Sequence, residues 1–124
     1  MTRQIGRTYR MMQKISDRAW EILARGGRVV IYGRPEAARQ LFVRIASDAW
    51  DLVDPLGVKE SRTWPHGAER LVTDTGGVLT TASNRSRMLG MPIDLLIRLE
   101  PVDWGRRAAE YHTEIIDVLH IRSE

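Results

Sequence analysis

The chain has 124 residues, 43% of them hydrophobic, which is the size and composition of one domain with its own core. It contains no cysteine, which excludes disulfides and thiolate metal sites and favours a cytoplasmic location. The net charge is +3, and all basic residues except Lys14 and Lys59 are arginines. A GC-rich genome would produce this bias. So would phosphate recognition, because guanidinium groups bind phosphate in a bidentate way.

Helix and strand signals alternate along the first half of the chain. Apolar residues at three- and four-residue spacing predict a helix from Tyr9 to Arg25, with Thr8 as its cap. Gly26-Gly27 is a typical helix stop. The apolar run Arg28–Gly33 predicts a buried strand, and a second helix is predicted over Pro35–Val53.

The second half of the chain predicts mostly strands, followed by a last helix. In order, the predictions are a loop over residues 55 to 68, hairpin strands over Glu69–Asp74 and Val78–Ala82, a surface loop over Asn84–Pro92, a strand over Ile93–Leu99 and an amphipathic helix over Trp104–Ile121. The order α-β-α-β-β-β-α predicts a single three-layer α/β domain over residues 1–124, with a mostly parallel sheet and an inserted hairpin.

A candidate phosphate-binding turn precedes the first predicted helix. Gly6-Arg7-Thr8 places a glycine, a cation and a hydroxyl where a P-loop has Gly-Lys-Thr/Ser. The predicted phosphate contacts come from Gln4, Ile5, Gly6, Arg7 and Thr8, and Thr8 would also contact Mg²⁺ if the ligand is ATP or GTP. The pattern is incomplete, because Met1 stands where a P-loop has its first glycine. A flexible N-terminus followed by an ordinary helix cap is the alternative explanation of the same residues.

With these elements, residues 4 to 100 resemble the P-loop ATPase core of phage terminase large subunits and superfamily 2 helicases. The matches are Gly6-Arg7-Thr8, the segment Arg34–Gln40, which is similar to the helicase sequence P-T-R-E-L-A-x-Q, and the hairpin, glycine and strand that lead to Ile97. The resemblance implies that Glu100 stands for the catalytic glutamate and that the family's first strand is missing. Leu99 occupies the position of the magnesium-binding aspartate, so weak or no hydrolysis is expected.

Further basic residues are candidates for contact with nucleic acid. Arg10, Lys14 and Arg18 recur at helical spacing, and Arg34, Arg85 and Arg87 lie in predicted loops or turns. A solvated helix face and solvated loops are the alternative explanation. Asp94, inside a predicted strand, is expected to pair with a nearby arginine or to lie at the sheet edge.

Two functions follow as expectations. The first is a phage- or mobile-element-type protein that binds nucleotide or nucleic-acid phosphate. The alternative is a non-enzymatic adaptor for DNA, RNA or protein, in which a homodimer or a protein partner completes the sheet. An unrelated α/β domain with chance motifs is a third interpretation.

Overall fold

The computed structural model describes the backbone of residues 2–51, 58–63, 69–84, 88 and 90–118, and the side chains of residues 10–48, 69–84, 88 and 90–118. The elements in chain order are α1 (Thr2–Ala24), β1 (Arg28–Tyr32), α2 (Pro35–Asp51), β2 (Val58–Thr63), β3 (Glu69–Thr73), β4 (Val78–Ala82), β5 (Leu95–Arg98), α3 (Gly105–Tyr111) and β6 (Glu114–Asp117). In the described part of the chain, none of the helices has the length and apolar character needed to cross a membrane.

The strands form a single sheet in the order β2-β3-β4-β1-β5-β6. Strands β4, β1, β5 and β6 are parallel, whereas β3 runs antiparallel to both of its neighbours. The mostly parallel sheet and its hairpin are therefore confirmed. The hairpin packs tightly against the end of α1, because a Cβ atom on Gly77 would overlap the carbonyl oxygen of Leu23.

Helices cover both faces of the sheet, which makes three layers. On one face, α1 and α2 pack on side chains such as Val29 and Ile31. On the other face, Val30 and Leu96 pack against Trp104 and against the partly buried side chains of α3. Because β1 is buried on both faces, its sequence is a continuous apolar run rather than an alternating one.

Two strands lie where other structures were predicted. Strand β2 falls inside the predicted loop of residues 55 to 68, and it pairs with β3 in an antiparallel register. The predicted helix over Trp104–Ile121 is wrong beyond Tyr111. His112 adopts a left-handed conformation with φ of 54°, and the Oγ1 of Thr113 then donates to the carbonyl of Ile93 at 2.5 Å. The chain continues as β6, paired with β5.

Candidate functional site

The connections of β1 and β5 diverge at the carboxyl ends of these strands, and we call the space between the diverging segments the crevice. Both strands are central, parallel and adjacent. After β1 the chain continues into α2 on one face of the sheet, and after β5 it continues into α3 on the other. In open α/β sheets, ligands bind at the point where neighbouring strands leave towards opposite faces.

Two residues of this crevice, Arg34 and Glu100, were predicted separately and meet here. The Nε atom of Arg34, directly after the β1 end, lies 3.0 Å from the Oε1 atom of Glu100, which follows β5. The Arg34 side chain is 79% exposed and that of Glu100 is 35% exposed, so the pair faces solvent. The segments that follow β1 and β5 lie close together where they leave the sheet, since a Cβ atom on Gly33 would lie 2.8 Å from the Cβ atom of Leu99.

The N-terminus of α2 also opens onto this crevice. Helix α2 begins at Pro35, and its first internal bond runs from the N–H of Ala38 to the carbonyl of Arg34 at 2.9 Å. The N–H groups of Glu36 and Ala37 therefore lie outside the bonding ladder of the helix. Such groups attract anions, and here they lie beside a guanidinium. The Glu36 carboxylate, exposed in the first turn of α2, is negatively charged and so opposes anion binding at this helix end.

Another arginine near this edge has a structural role. Arg98 donates to both carboxylate oxygens of Asp117, at 2.5 and 2.6 Å, and its Nη1 atom donates to the carbonyl of Val102 at 2.9 Å. The hydrogen bonds to Asp117 raise the pKa of Arg98 above its ordinary value. The fork joins β5 to the edge strand β6 and so fixes one wall of the carboxyl edge.

A buried carboxylate that the sequence did not identify lies at the same edge, on the α1 and α2 face. Glu69 is fully buried at the start of β3, and its Oε2 atom accepts a hydrogen bond from the Thr81 hydroxyl at 2.7 Å. Its Oε1 atom has no hydrogen-bond partner within the described residues, and the Nε atom of Arg39 lies 3.7 Å away. The charge is therefore only partly compensated. Alternation along a strand places Glu69 on this face, but its partner on α2 follows only from the fold.

The predicted phosphate-binding turn is replaced by helix. Because α1 begins at Thr2, residues 4–8 lie inside it, and the predicted start at Tyr9 with a Thr8 cap is wrong. Only the first four N–H groups of a helix are free, so those of Gly6, Arg7 and Thr8 belong to the helical ladder. The side chains of Gln4, Ile5, Arg7 and Thr8 lie outside the described side chains.

The predicted nucleic-acid contacts divide into separate groups. Arg10 and Lys14 are exposed on α1. Arg18 instead donates to both oxygens of Glu114, with a shortest distance of 2.7 Å, and also pairs with Glu21. The hydrogen bonds from Arg18 lower the pKa of Glu114. Arg85 and Arg87 lie outside the described residues.

The predicted contact of Thr8 with Mg²⁺ stays a prediction, and within the described part of the chain Asp94 does not pair with an arginine side chain. Among the described residues, no group of three His, Asp or Glu side chains could hold a metal ion. Asp94 precedes β5 and is exposed; its Oδ2 atom accepts a hydrogen bond from the backbone N–H of Arg28 at 2.8 Å. This partner is a backbone group that any residue type would supply, so the predicted pairing with an arginine side chain is not formed in the part of the chain that the structure describes.

Comparisons of the chain with models of known families, with curated proteins and with solved structures found no match. The function must therefore be inferred from the geometry of the site, since a fold alone does not determine activity.

Proposed function

We propose that the protein binds a phosphate group of a nucleotide or a nucleic acid in the crevice between the carboxyl ends of β1 and β5. The observation that carries this proposal is the position of Arg34. Its guanidinium stands at the switch point of the sheet, exposed to solvent and oriented by Glu100. A phosphate there would receive charge-assisted hydrogen bonds from the guanidinium and from the first N–H groups of α2.

Weak or no hydrolysis is part of the proposal. Efficient phosphoryl transfer needs a metal ligand and a water-activating carboxylate in fixed positions. Leu99, at the position expected for the metal-binding aspartate, is instead a buried core residue. Glu100 is held by Arg34, so it is better suited to orienting that arginine than to activating water. Bound ATP or GTP, with or without Mg²⁺, would then be a ligand rather than a substrate.

Binding to nucleotides and oligonucleotides, compared between the wild type and Arg34→Ala, tests the crevice. We expect Arg34→Ala to weaken binding about tenfold or more, as is typical when a charge-assisted hydrogen bond worth about 1.5–3 kcal/mol is lost. The control is Arg70→Ala, which removes an exposed arginine from β3, two strands away from β1. Fluorescence anisotropy with labelled nucleotide and labelled single- and double-stranded DNA gives the affinities. Equal affinities for Arg34→Ala and the wild type would refute the crevice assignment.

The non-enzymatic adaptor is the second candidate, and the exposed cations of α1 favour it. Helix α1 ends close to the start of β1 and runs antiparallel to this strand, so the N-terminal half of the helix lies at the carboxyl edge of the sheet. Met12 accordingly lines a groove together with Leu99 and Val118, which follow β5 and β6. Arg10 belongs to the same half of α1, and Lys14 follows one turn later, just past the middle of the helix. If they contact nucleic acid, Arg10→Ala with Lys14→Ala should lower DNA affinity and flatten its salt dependence, while ATP should not compete.

A further inference from the structure

A second groove lies at the opposite edge of the sheet, where the parallel strands begin. It has a volume of about 540 Å³, and its charged lining residues are Arg18 and Arg25 from the α1 end, Asp94 before β5, His112 after α3 and Glu114 of β6. Its volume falls within the range of about 300–1,000 Å³ that is usual for small-molecule sites. The sequence did not predict a site here.

The acidic groups of the groove are already largely occupied. Both oxygens of Glu114 accept hydrogen bonds from the Arg18 guanidinium, at 2.7 to 3.0 Å. The Oδ2 atom of Asp94 accepts a hydrogen bond from the backbone N–H of Arg28, the first residue of β1. The Arg18 pairing compensates the Glu114 charge, whereas Asp94 keeps its charge and has one oxygen left as an acceptor for a ligand.

The basic groups at positions 25 and 112 donate no hydrogen bond within the described residues, and the Arg25 charge acts on Glu114 only at a distance, where it adds to Arg18 in lowering the pKa of Glu114. Arg25 and His112 are both exposed, and within the described residues neither side chain forms a hydrogen bond or an ion pair. His112 is also the one described non-glycine residue with a positive φ, 54°, a conformation that is uncommon for its type. Most of the polar groups that are free to bind a ligand in this groove are therefore hydrogen-bond donors.

From this arrangement we infer that the groove binds a small molecule that carries a carboxylate or phosphate group. The oxyanion is held by the guanidinium of Arg25 and the imidazole of His112. The free Asp94 oxygen accepts a hydrogen bond from a neighbouring hydroxyl or amino group of the ligand. Arg18 positions Glu114 and does not contact the ligand. The site lies at the opposite edge of the sheet from the crevice at Arg34, so either site can fail without the other.

Two probes separate the possible oxyanions: inorganic phosphate and malonate, each titrated into the ¹⁵N-labelled full chain and followed by NMR. We expect saturable shifts of the Gly26 and Gly27 amides with at least one probe, and the probe that saturates first identifies the preferred group. The double variant Arg25→Ala/His112→Asn should weaken this binding about tenfold or more. Asparagine is chosen because it tolerates the left-handed conformation of position 112.

Arg34→Ala is the matched control, because it removes the same charge at the opposite edge, and it should leave the shifts at Gly26 and Gly27 unchanged. Mapping on the wild type provides a readout that does not depend on any variant folding. No saturable shift at these glycines with either probe would overturn the inference. Shifts that persist unchanged in the double variant would overturn it as well. Shifts confined to Glu36 and Ala37 would also contradict it, while supporting the crevice.

Discussion

Two buried tryptophans of this fold differ in whether the indole N–H has a partner. Trp20 of α1 is 4% exposed and donates from Nε1 to the carbonyl of Ile45 at 2.9 Å, which joins α1 to α2. Trp104, just before α3, is 1% exposed, and its Nε1 has no hydrogen-bond partner within the described residues. Changing each to phenylalanine removes the same atoms from two buried sites, so the difference between the variants isolates the contribution of the N–H.

The expected magnitudes follow from three terms. Replacing an indole by a phenyl ring leaves a void of roughly 40 Å³, which costs about 1 kcal/mol at ~24 cal/mol per Å³. Trp20→Phe also loses a hydrogen bond worth about 1 kcal/mol, so it should cost about 2 kcal/mol in total. Trp104→Phe instead removes an unpaired buried donor, whose burial costs about 1–3 kcal/mol. Its net effect should lie between about zero and about 2 kcal/mol of stabilisation.

Thermal and urea unfolding, followed by far-ultraviolet circular dichroism, measure both variants without relying on tryptophan fluorescence. The two should differ by at least about 2 kcal/mol, or about 8 °C in Tm for a domain of this size. Equal m-values would show that the unfolding reactions are comparable. If Trp104→Phe destabilises the protein as much as Trp20→Phe, the Trp104 N–H has a partner and the reasoning fails.

Two further predictions concern charged groups. Arg39→Ala should cost about 1–2 kcal/mol, because among the described residues it removes the nearest cation from the buried Glu69 carboxylate, with a reduction for the exposure of Arg39. In a Glu69→Gln background the same change should cost less than about 0.5 kcal/mol in urea unfolding; equal costs in both backgrounds would refute the pairing. Glu114 has a pKa lowered by Arg18, so its stabilising effect is present above its ordinary pKa and is lost as the pH falls through the lowered value. Glu114→Gln should therefore reduce stability at neutral pH and flatten the loss of stability below about pH 4.5, measured by unfolding across pH.

The structure shows which elements can be predicted from the pattern of their own residues and which depend on pairing with other elements. Strand β1 and helix α2 were predicted from the apolar run and the apolar spacing of their own residues. Strand β2 has no such pattern, because three of its six residues, Lys59, Glu60 and Arg62, are charged. It is a strand because it pairs with β3. Strand β6 was missed because Ile115 and Val118 also fit helical spacing with Tyr111. Only the left-handed turn at His112 separates the two alternatives.

The candidate crevice was predictable in its residues but not in its geometry. Arg34 and Glu100 were both named, one as a nucleic-acid contact and the other as a catalytic glutamate. Their sequence separation gives no indication that they meet, since this depends on β1 and β5 being neighbours in the sheet. The helix N-terminus expected at Thr8 was misplaced, and the one that opens onto a switch point belongs to α2.

Two of the arginines have a structural role that the sequence did not suggest. Arg18 and Arg98 form forks with Glu114 and Asp117, the first and last residues of β6, and so hold the edge strand at both of its ends. Arginines used in this way cannot also serve as phosphate contacts without releasing β6. The arginines available to ligands are those with exposed guanidinium groups that do not hold an edge strand. Arg34 and Arg25 meet this condition at opposite edges of the sheet, which is why the two proposed sites are separate and can be tested independently.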